Sequence, residues 1–182
     1  MRKGYVFFTE IQEQYQKKNM DHMIGEKLLE AAVWKTYGWK LKEEPRSRGE
    51  HGKPFFTLRP AVHYNISHSG NLVYCILAPM EVGIDIQVHR KANYRGILER
   101  MVPEQMIPEI LEADEPVKAF FTQWVLREAY MKWTGEGLSR DLRKISLEEG
   151  WYELFTPKEG YSGAVYAAFP LELSWESMEI SL

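Results

Sequence analysis

The longest helical pattern in this chain carries a carboxylate on its apolar face. At about 100° per residue, Val117, Phe120, Phe121, Trp124, Val125 and Met131 fall on one broad face between Val117 and Thr134, and Glu128 falls near its middle. Lys132, at i+4, flanks the same face, and Arg127 lies off to one side. An amphipathic helix keeps its acids on the solvated side, because taking a carboxylate out of water is expensive unless something compensates it. Whatever packs against this helix must therefore suit Glu128. One reading is an internal ion pair between Glu128 and Lys132, with a purely structural role.

A second acid offers another reading. In Glu81-Val-Gly-Ile-Asp-Ile-Gln87, apolar Val82, Ile84 and Ile86 alternate with Gly83, Asp85 and Gln87. Side chains alternate faces along a strand, so Asp85 and Gln87 share a face beside a residue with no side chain. Taken alone, this is a strand with one solvated face. Taken with Glu128, it suggests two carboxylates that could hold Mg²⁺, a hard cation that prefers oxygen ligands and often shares them with phosphate. The segment Asn65-Ile-Ser-His-Ser-Gly70 could supply phosphate partners: Ser67 and Ser69 offer hydroxyls, His68 an imidazole, and Gly70 close backbone approach. The same residues are also ordinary turn formers. No G-x-S-x-G elbow surrounds a serine and no H-E-x-x-H pattern occurs, so neither a nucleophilic triad nor a zinc-peptidase site is indicated.

The rest of the chain reads as alternating helical and extended segments. Tyr5 to Phe8 is a strand candidate. Ile24, Leu28, Ala31 and Ala32 make a helical stripe over Asp21–Tyr37, with Gly38 as its stop. Residues 40–53 are polar and predict a loop. His63–Ser67, Leu72–Ala78 and the Glu81–Gln87 stretch predict three strands with short connections, which favours an antiparallel meander. Residues 89–116 are partly helical, interrupted by Pro103, Pro108 and Pro116. After the helix ending at Gly135, strands are expected at 151–155 and 164–169. Each half thus has a helix followed by strands, an α+β pattern. The expected division is an N-terminal lobe over 1–88 and a C-terminal lobe over 89–182.

Composition narrows the function. The formal net charge of -3 over 182 residues gives no support to a nucleic-acid binder. The single cysteine, Cys75, sits in an apolar run and reads as core. No apolar run approaches the roughly 20 residues of a membrane span, and no signal peptide is expected, so a cytoplasmic protein is predicted.

The order of the motifs is more specific than any one of them. Gly52-Lys-Pro54 precedes His63-Tyr-Asn-Ile-Ser-His-Ser-Gly70. Val82-Gly-Ile-Asp-Ile86 follows, and then Trp124-Val-Leu-Arg-Glu-Ala-Tyr-Met-Lys132 with Gly135-Glu-Gly-Leu-Ser139. This order resembles the 4′-phosphopantetheinyl transferases of the surfactin-synthetase type. The resemblance implies a pseudo-twofold pair of similar lobes, each a helix on a small antiparallel sheet, with the site in the cleft between them. It implies Mg²⁺-dependent transfer of 4′-phosphopantetheine from coenzyme A to a serine of an apo carrier protein, with release of adenosine 3′,5′-bisphosphate. Asp85 matches the family's metal-binding aspartate, and Glu128 the glutamate that binds metal and takes the serine proton. Lys132 matches the lysine that contacts the coenzyme phosphates. Lys53, Ser67 and His68 match other coenzyme-binding positions, and His22 is aligned near the adenosine 3′-phosphate. Gln87 stands where many relatives carry a second acid; its amide oxygen can ligate a metal without formal charge. The implied partner is an acidic acyl, peptidyl or polyketide carrier, docking near 94–111 through residues such as Ile97, Leu98, Met101, Val102 and Met106, with Arg95 and Arg100 meeting acidic groups. A monomer is expected, and the alternative is a coenzyme A-binding module that has lost efficient transfer.

Overall fold

A computed structural model describes residues 2–16, 20–137 and 141–182. Four layers stack in the order helix, sheet, sheet, helix. The first sheet contains β4 (His63–Ser69), β5 (Leu72–Ala78), β1 (Arg2–Glu10) and β9 (Leu171–Ser177), in that order. β1 runs antiparallel to β5 but parallel to β9. The second sheet has the antiparallel order β6 (Val82–Val88), β8 (Tyr161–Ala167), β7 (Trp151–Phe155). A short hairpin pairs β2 (Arg46–Arg48) with β3 (Pro54–Phe56).

Alternation along the strands builds the layers. Phe7, Val73, Cys75 and Leu77 face α1 (Met20–Tyr37), whose Ile24, Leu28, Leu29, Ala32 and Val33 are buried against them. The opposite face presents Val6, Tyr74 and Ile76 to Val82, Ile84, Ile86 and Val165 of the second sheet. The outer face of that sheet carries Ala164 and Tyr166, and receives Val125, Leu126 and Ala129 of α4 (Pro116–Thr134). Proline opens α4, where a missing N–H is harmless. Gly135 closes it in the left-handed conformation (φ 74°), donating to Met131 O at 2.8 Å.

Three expectations are corrected. The polar segment 40–53 contains β2, whose three side chains are all exposed, so the strand left no apolar pattern to read. The segment expected as a turn at 68–71 begins later, because β4 continues through His68 and Ser69. The meander also fails at its third strand. β6 pairs with β8 instead of β5, so its residues lie before position 88 while its sheet comes from beyond it; β9 makes the reverse exchange by pairing with β1.

What faces the other edge of β6 is not a strand ladder. In an antiparallel pair, alternate residues turn their N–H groups away from the partner. Here Ile84 N–H donates to Asn65 Oδ1 (2.9 Å), Ile86 N–H to Ser67 Oγ (3.1 Å) and Val88 N–H to Ser69 Oγ (3.0 Å). Three side chains at period two on β4 thus satisfy the edge that a fourth strand would otherwise satisfy.

α2 (Tyr94–Met101) and α3 (Met106–Leu111) pack on the start of α4. Leu98, Met101, Val102, Ile107 and Ile110 are buried with Phe120 and Phe121. Of the possible partner contacts, Leu98, Met101 and Val102 are core residues; Ile97 and Met106 are half-buried, and Arg95 and Arg100 are exposed. No helix among the described residues is long and apolar enough to cross a membrane.

Candidate active site

Gly83 sets how close α4 comes to β6. A Cβ there would lie 2.0 Å from Ala129 O and 2.5 Å from Trp133 N, so only glycine allows the helix backbone to rest on the strand. One rung along the same face stands Asp85, 6% exposed. Its solvated-face reading is thereby ruled out. Lys132 Nζ donates to Asp85 Oδ1 (2.7 Å) and to Ile84 O (3.1 Å), while Ser67 Oγ donates to the same Oδ1 at 3.0 Å. Asp85 Oδ2 is buried and has no hydrogen-bond partner.

Glu128 is half-buried, one turn before Lys132. Burial pushes its carboxyl above the ordinary carboxylate range, and the nearby Asp85 pushes it further; Lys132 partly opposes both. The i+4 partner expected on the helix thus hydrogen-bonds the strand's acid. Gln87 donates its amide nitrogen to Ser69 Oγ (3.0 Å) and Val88 O (3.3 Å), so its amide oxygen is the end left to face a ligand. Among the described residues no group of three His, Cys, Asp or Glu side chains gathers. Two mutually repelling carboxylates, one of them with an unpartnered buried oxygen, and one amide oxygen are nevertheless a donor set that suits a hard divalent cation.

An open cavity of about 630 Å³ is walled by α1, the β2–β3 hairpin and β4; Asn65 lines it and also accepts Ile84 N–H of β6, whereas Asp85, Gln87, Glu128 and Lys132 do not line it. His68 lines it and meets Asp21 of α1, Nδ1 to Oδ2 at 2.9 Å. His22 is exposed on the same wall. Arg46 and Arg48 also line it, and both were hidden in the segment expected as a loop. Arg46 is held as a fork by Glu26 (2.7 and 3.0 Å). Arg48 donates to Gly52 O at 3.1 Å and forms no ion pair among the described residues. Alternating arginines at 46 and 48 were the available signal, since that spacing puts both on one face of an extended segment.

Lys53 and Ser67 are both engaged by partners within the protein. Lys53 donates to the Glu81 carboxylate, to Val82 O (3.2 Å) and to Trp133 O (2.9 Å), using the three donors of an ammonium group. Burial lowers its pKa, against the pull of Glu81. It ties the end of α4 to the start of β6. Glu81 also accepts from His63 (3.1 Å); that bond and Lys53 hold its carboxyl down at about 2 against burial. Ser67 is 3% exposed and does not line the cavity. Arg127, next to Glu128, is buried and donates to Gln123 O (3.3 Å) and Oε1 (2.6 Å) of its own helix. Burial pushes its guanidinium down to about 10. Within the motif 135–139, Leu138 and Ser139 lie outside the described residues.

Residues 81–158 match the model of the 4′-phosphopantetheinyl transferase superfamily. The chain is similar to the 4′-phosphopantetheinyl transferase Sfp of Bacillus subtilis (strain 168), 28% identical over 166 residues that cover 81% of this chain and 74% of the relative. It is 28% identical over 181 residues to the transferase ffp of Bacillus subtilis, covering 88% and 80%. It is 30% identical over 140 residues to the transferase psf-1 of Bacillus pumilus, covering 74% and 60%.

Proposed function

We propose that this chain, which belongs to the 4′-phosphopantetheinyl transferase superfamily, moves phosphopantetheine from coenzyme A to a serine of an apo carrier protein and releases adenosine 3′,5′-bisphosphate. The observation that carries this reading is the pairing of Asp85, whose Oδ2 is buried without a partner, with Glu128, whose carboxyl is raised by burial and by Asp85.

In this reading Asp85, Gln87 and Glu128 would hold Mg²⁺, which when bound would supply positive charge to offset that of the diphosphate. Glu128 is suited to accept a proton, because burial raises its basicity. The carrier serine oxygen forms the new bond to phosphorus, the bond to the adenosine-side phosphate oxygen breaks, and the serine proton goes to Glu128. Lys132 has one N–H left after its bonds to Asp85 and Ile84, and directs it to a phosphate oxygen. His68, its ring fixed at Nδ1 by Asp21, turns its other nitrogen to the same diphosphate. Arg48 and His22 receive the 3′-phosphate across the cavity. Lys53 holds the end of α4 to the start of β6. α1 with the first sheet and α4 with the second serve as related lobes of one monomeric unit, with carriers approaching the exposed Arg95 and Arg100.

The test mixes the protein with coenzyme A, Mg²⁺ and a panel of apo carriers from fatty-acid, peptide and polyketide systems, and weighs each carrier. A mass gain of one phosphopantetheine is expected; no gain on any carrier sinks the reading. Gln87, an amide at a position where charge would tighten a metal, favours the second reading, a binding module without efficient transfer. That reading is supported by calorimetric binding of coenzyme A with no carrier modified.

A further inference from the structure

Ser67 stands out because its hydroxyl is used twice inside the protein. Its oxygen accepts Ile86 N–H at 3.1 Å, and its proton goes to Asp85 Oδ1 at 3.0 Å. At 3% exposure it offers little surface to a ligand. Its neighbours on the same face of β4 do only half of this: Asn65 accepts Ile84 N–H, and Ser69 accepts from Val88 N–H and the Gln87 amide, and neither bonds a carboxylate.

We infer that Ser67 is a positioning residue of the proposed transfer site: anchored on the edge of β6, it fixes the Asp85 carboxylate so that Oδ1 stays with Lys132 and Oδ2 faces the reacting groups. A carboxylate turns about χ2 with little resistance. Lys132 alone is one flexible contact on Oδ1. A second donor from a different strand removes the remaining rotation. The role of Ser67 rests on the transferase reading for its effect on rate, but not for its effect on Asp85.

The tie is legible in register as well. Ser67 is the middle of the three side chains that satisfy the free edge of β6, so its height along that edge is fixed from both sides by Asn65 and Ser69. The residue of β6 at that height, within reach of the Ser67 hydroxyl, is Asp85, which stands between Ile84 and Ile86, whose N–H groups are the first two anchors. The stitch that joins the two sheets is thus also the ruler that places the acid.

The experiment compares Ser67→Ala with Asn65→Ala in the full chain. Both leave one β6 N–H without its acceptor, and only the first touches Asp85. With coenzyme A, Mg²⁺ and an apo carrier, Ser67→Ala is expected to lower kcat by roughly 10–100-fold, the scale seen when a residue orienting a metal ligand is lost. Its KM for coenzyme A should stay within about threefold, and Asn65→Ala, which removes an anchor on β6 and an amide lining the cavity, is read on kcat alone and should keep it within about threefold of the parent. A raised KM with kcat intact would make Ser67 a coenzyme contact and overturn the inference. Equal losses in both variants would reduce Ser67 to a structural rung and overturn it too. If Ser67→Ala does not fold, Ser67→Cys, similar in size with a weaker donor, is put to the same kcat-against-KM test. A crystal structure of the folded variant reads the positioning without turnover: Asp85 should turn away from its Lys132-bound orientation, and an unmoved carboxylate refutes the inference. If the parent transfers nothing, the transferase reading fails, and the crystal structure still decides the role of Ser67.

Discussion

The acid cluster and the cavity are built on opposite terms. Asp85 is nearly out of water, stands on a strand pinned to a helix backbone, and has donors from two other elements on one oxygen. The cavity is open, its ion pairs are half-exposed, and its walls come from a helix, a short hairpin and a strand edge. Charges in the first region feel a low dielectric and act strongly; those in the second are screened by water. The contrast suits a reaction whose chemical step needs fixed geometry while a large, flexible coenzyme needs only to be held by its charges. Rate should therefore be concentrated in the dry region, and affinity in the wet one.

That division can be broken by mutation. The largest effect is expected from Glu128→Gln, which should lower transfer by about 10²–10⁴-fold, the range for a positioned proton acceptor, measured by carrier mass. The same variant should be more stable. Because Glu128 has a raised pKa in the folded state, its favourable contribution is present at low pH and is lost as pH rises through that raised value. At neutral pH the ionised group opposes folding, so removing it should add about 1 kcal/mol in urea titration. A loss of both activity and stability would contradict the account of a desolvated acid. Next comes Gly83→Ala. Its methyl would press into Ala129 O, and since backbone cannot yield cheaply the loss should reach about 3 kcal/mol, with transfer failing as α4 is pushed off β6.

In the wet region the effects should be smaller and of another kind. Arg48→Ala should raise the KM for coenzyme A about tenfold, or ~1.4 kcal/mol, and leave kcat nearly unchanged. With 3′-dephospho-coenzyme A the variant and parent should be alike; equal losses on both coenzymes would remove Arg48 from the 3′-phosphate. The smallest effect is expected at Glu81. Its carboxyl is held below its ordinary value, so it stabilises the fold above that value and the contribution fades as pH falls from about 4.5 to about 2. Glu81→Gln should flatten the acid limb of stability over that window in a pH series of thermal melts, with the loss present at neutral pH and the two proteins converging near pH 2.

The same contrast explains what the sequence disclosed. Glu128 and Asp85 were visible because each breaks a pattern: an acid on an apolar helix face, an acid in a strand whose other face is core. Gly83 was visible as a missing side chain, although the helix carbonyl that demands it was not. Arg46 and Arg48 break nothing, since cations in a polar stretch look like solvated surface until a cavity forms around them. The strands of the first sheet followed from alternation, but alternation names no partner. It could not show that Asn65, Ser67 and Ser69 would take the edge of β6 and send that strand to the other sheet. β9 did leave a signal, Leu171, Leu173 and Trp175 at period two, and its pairing with β1 had none.

The parallel pairing of β1 with β9 also dictates when the molecule can come into being. β1 is an interior strand of its sheet, yet one of its two neighbours lies more than 160 residues away. Contacts of such long range close a large loop before they return any energy, and they slow folding. During synthesis the first strand must wait, half-paired with β5, until residue 177 has left the ribosome. The chain is thus expected to acquire its two sheets together and late, and a nascent chain stalled before residue 171 should remain sensitive to protease throughout.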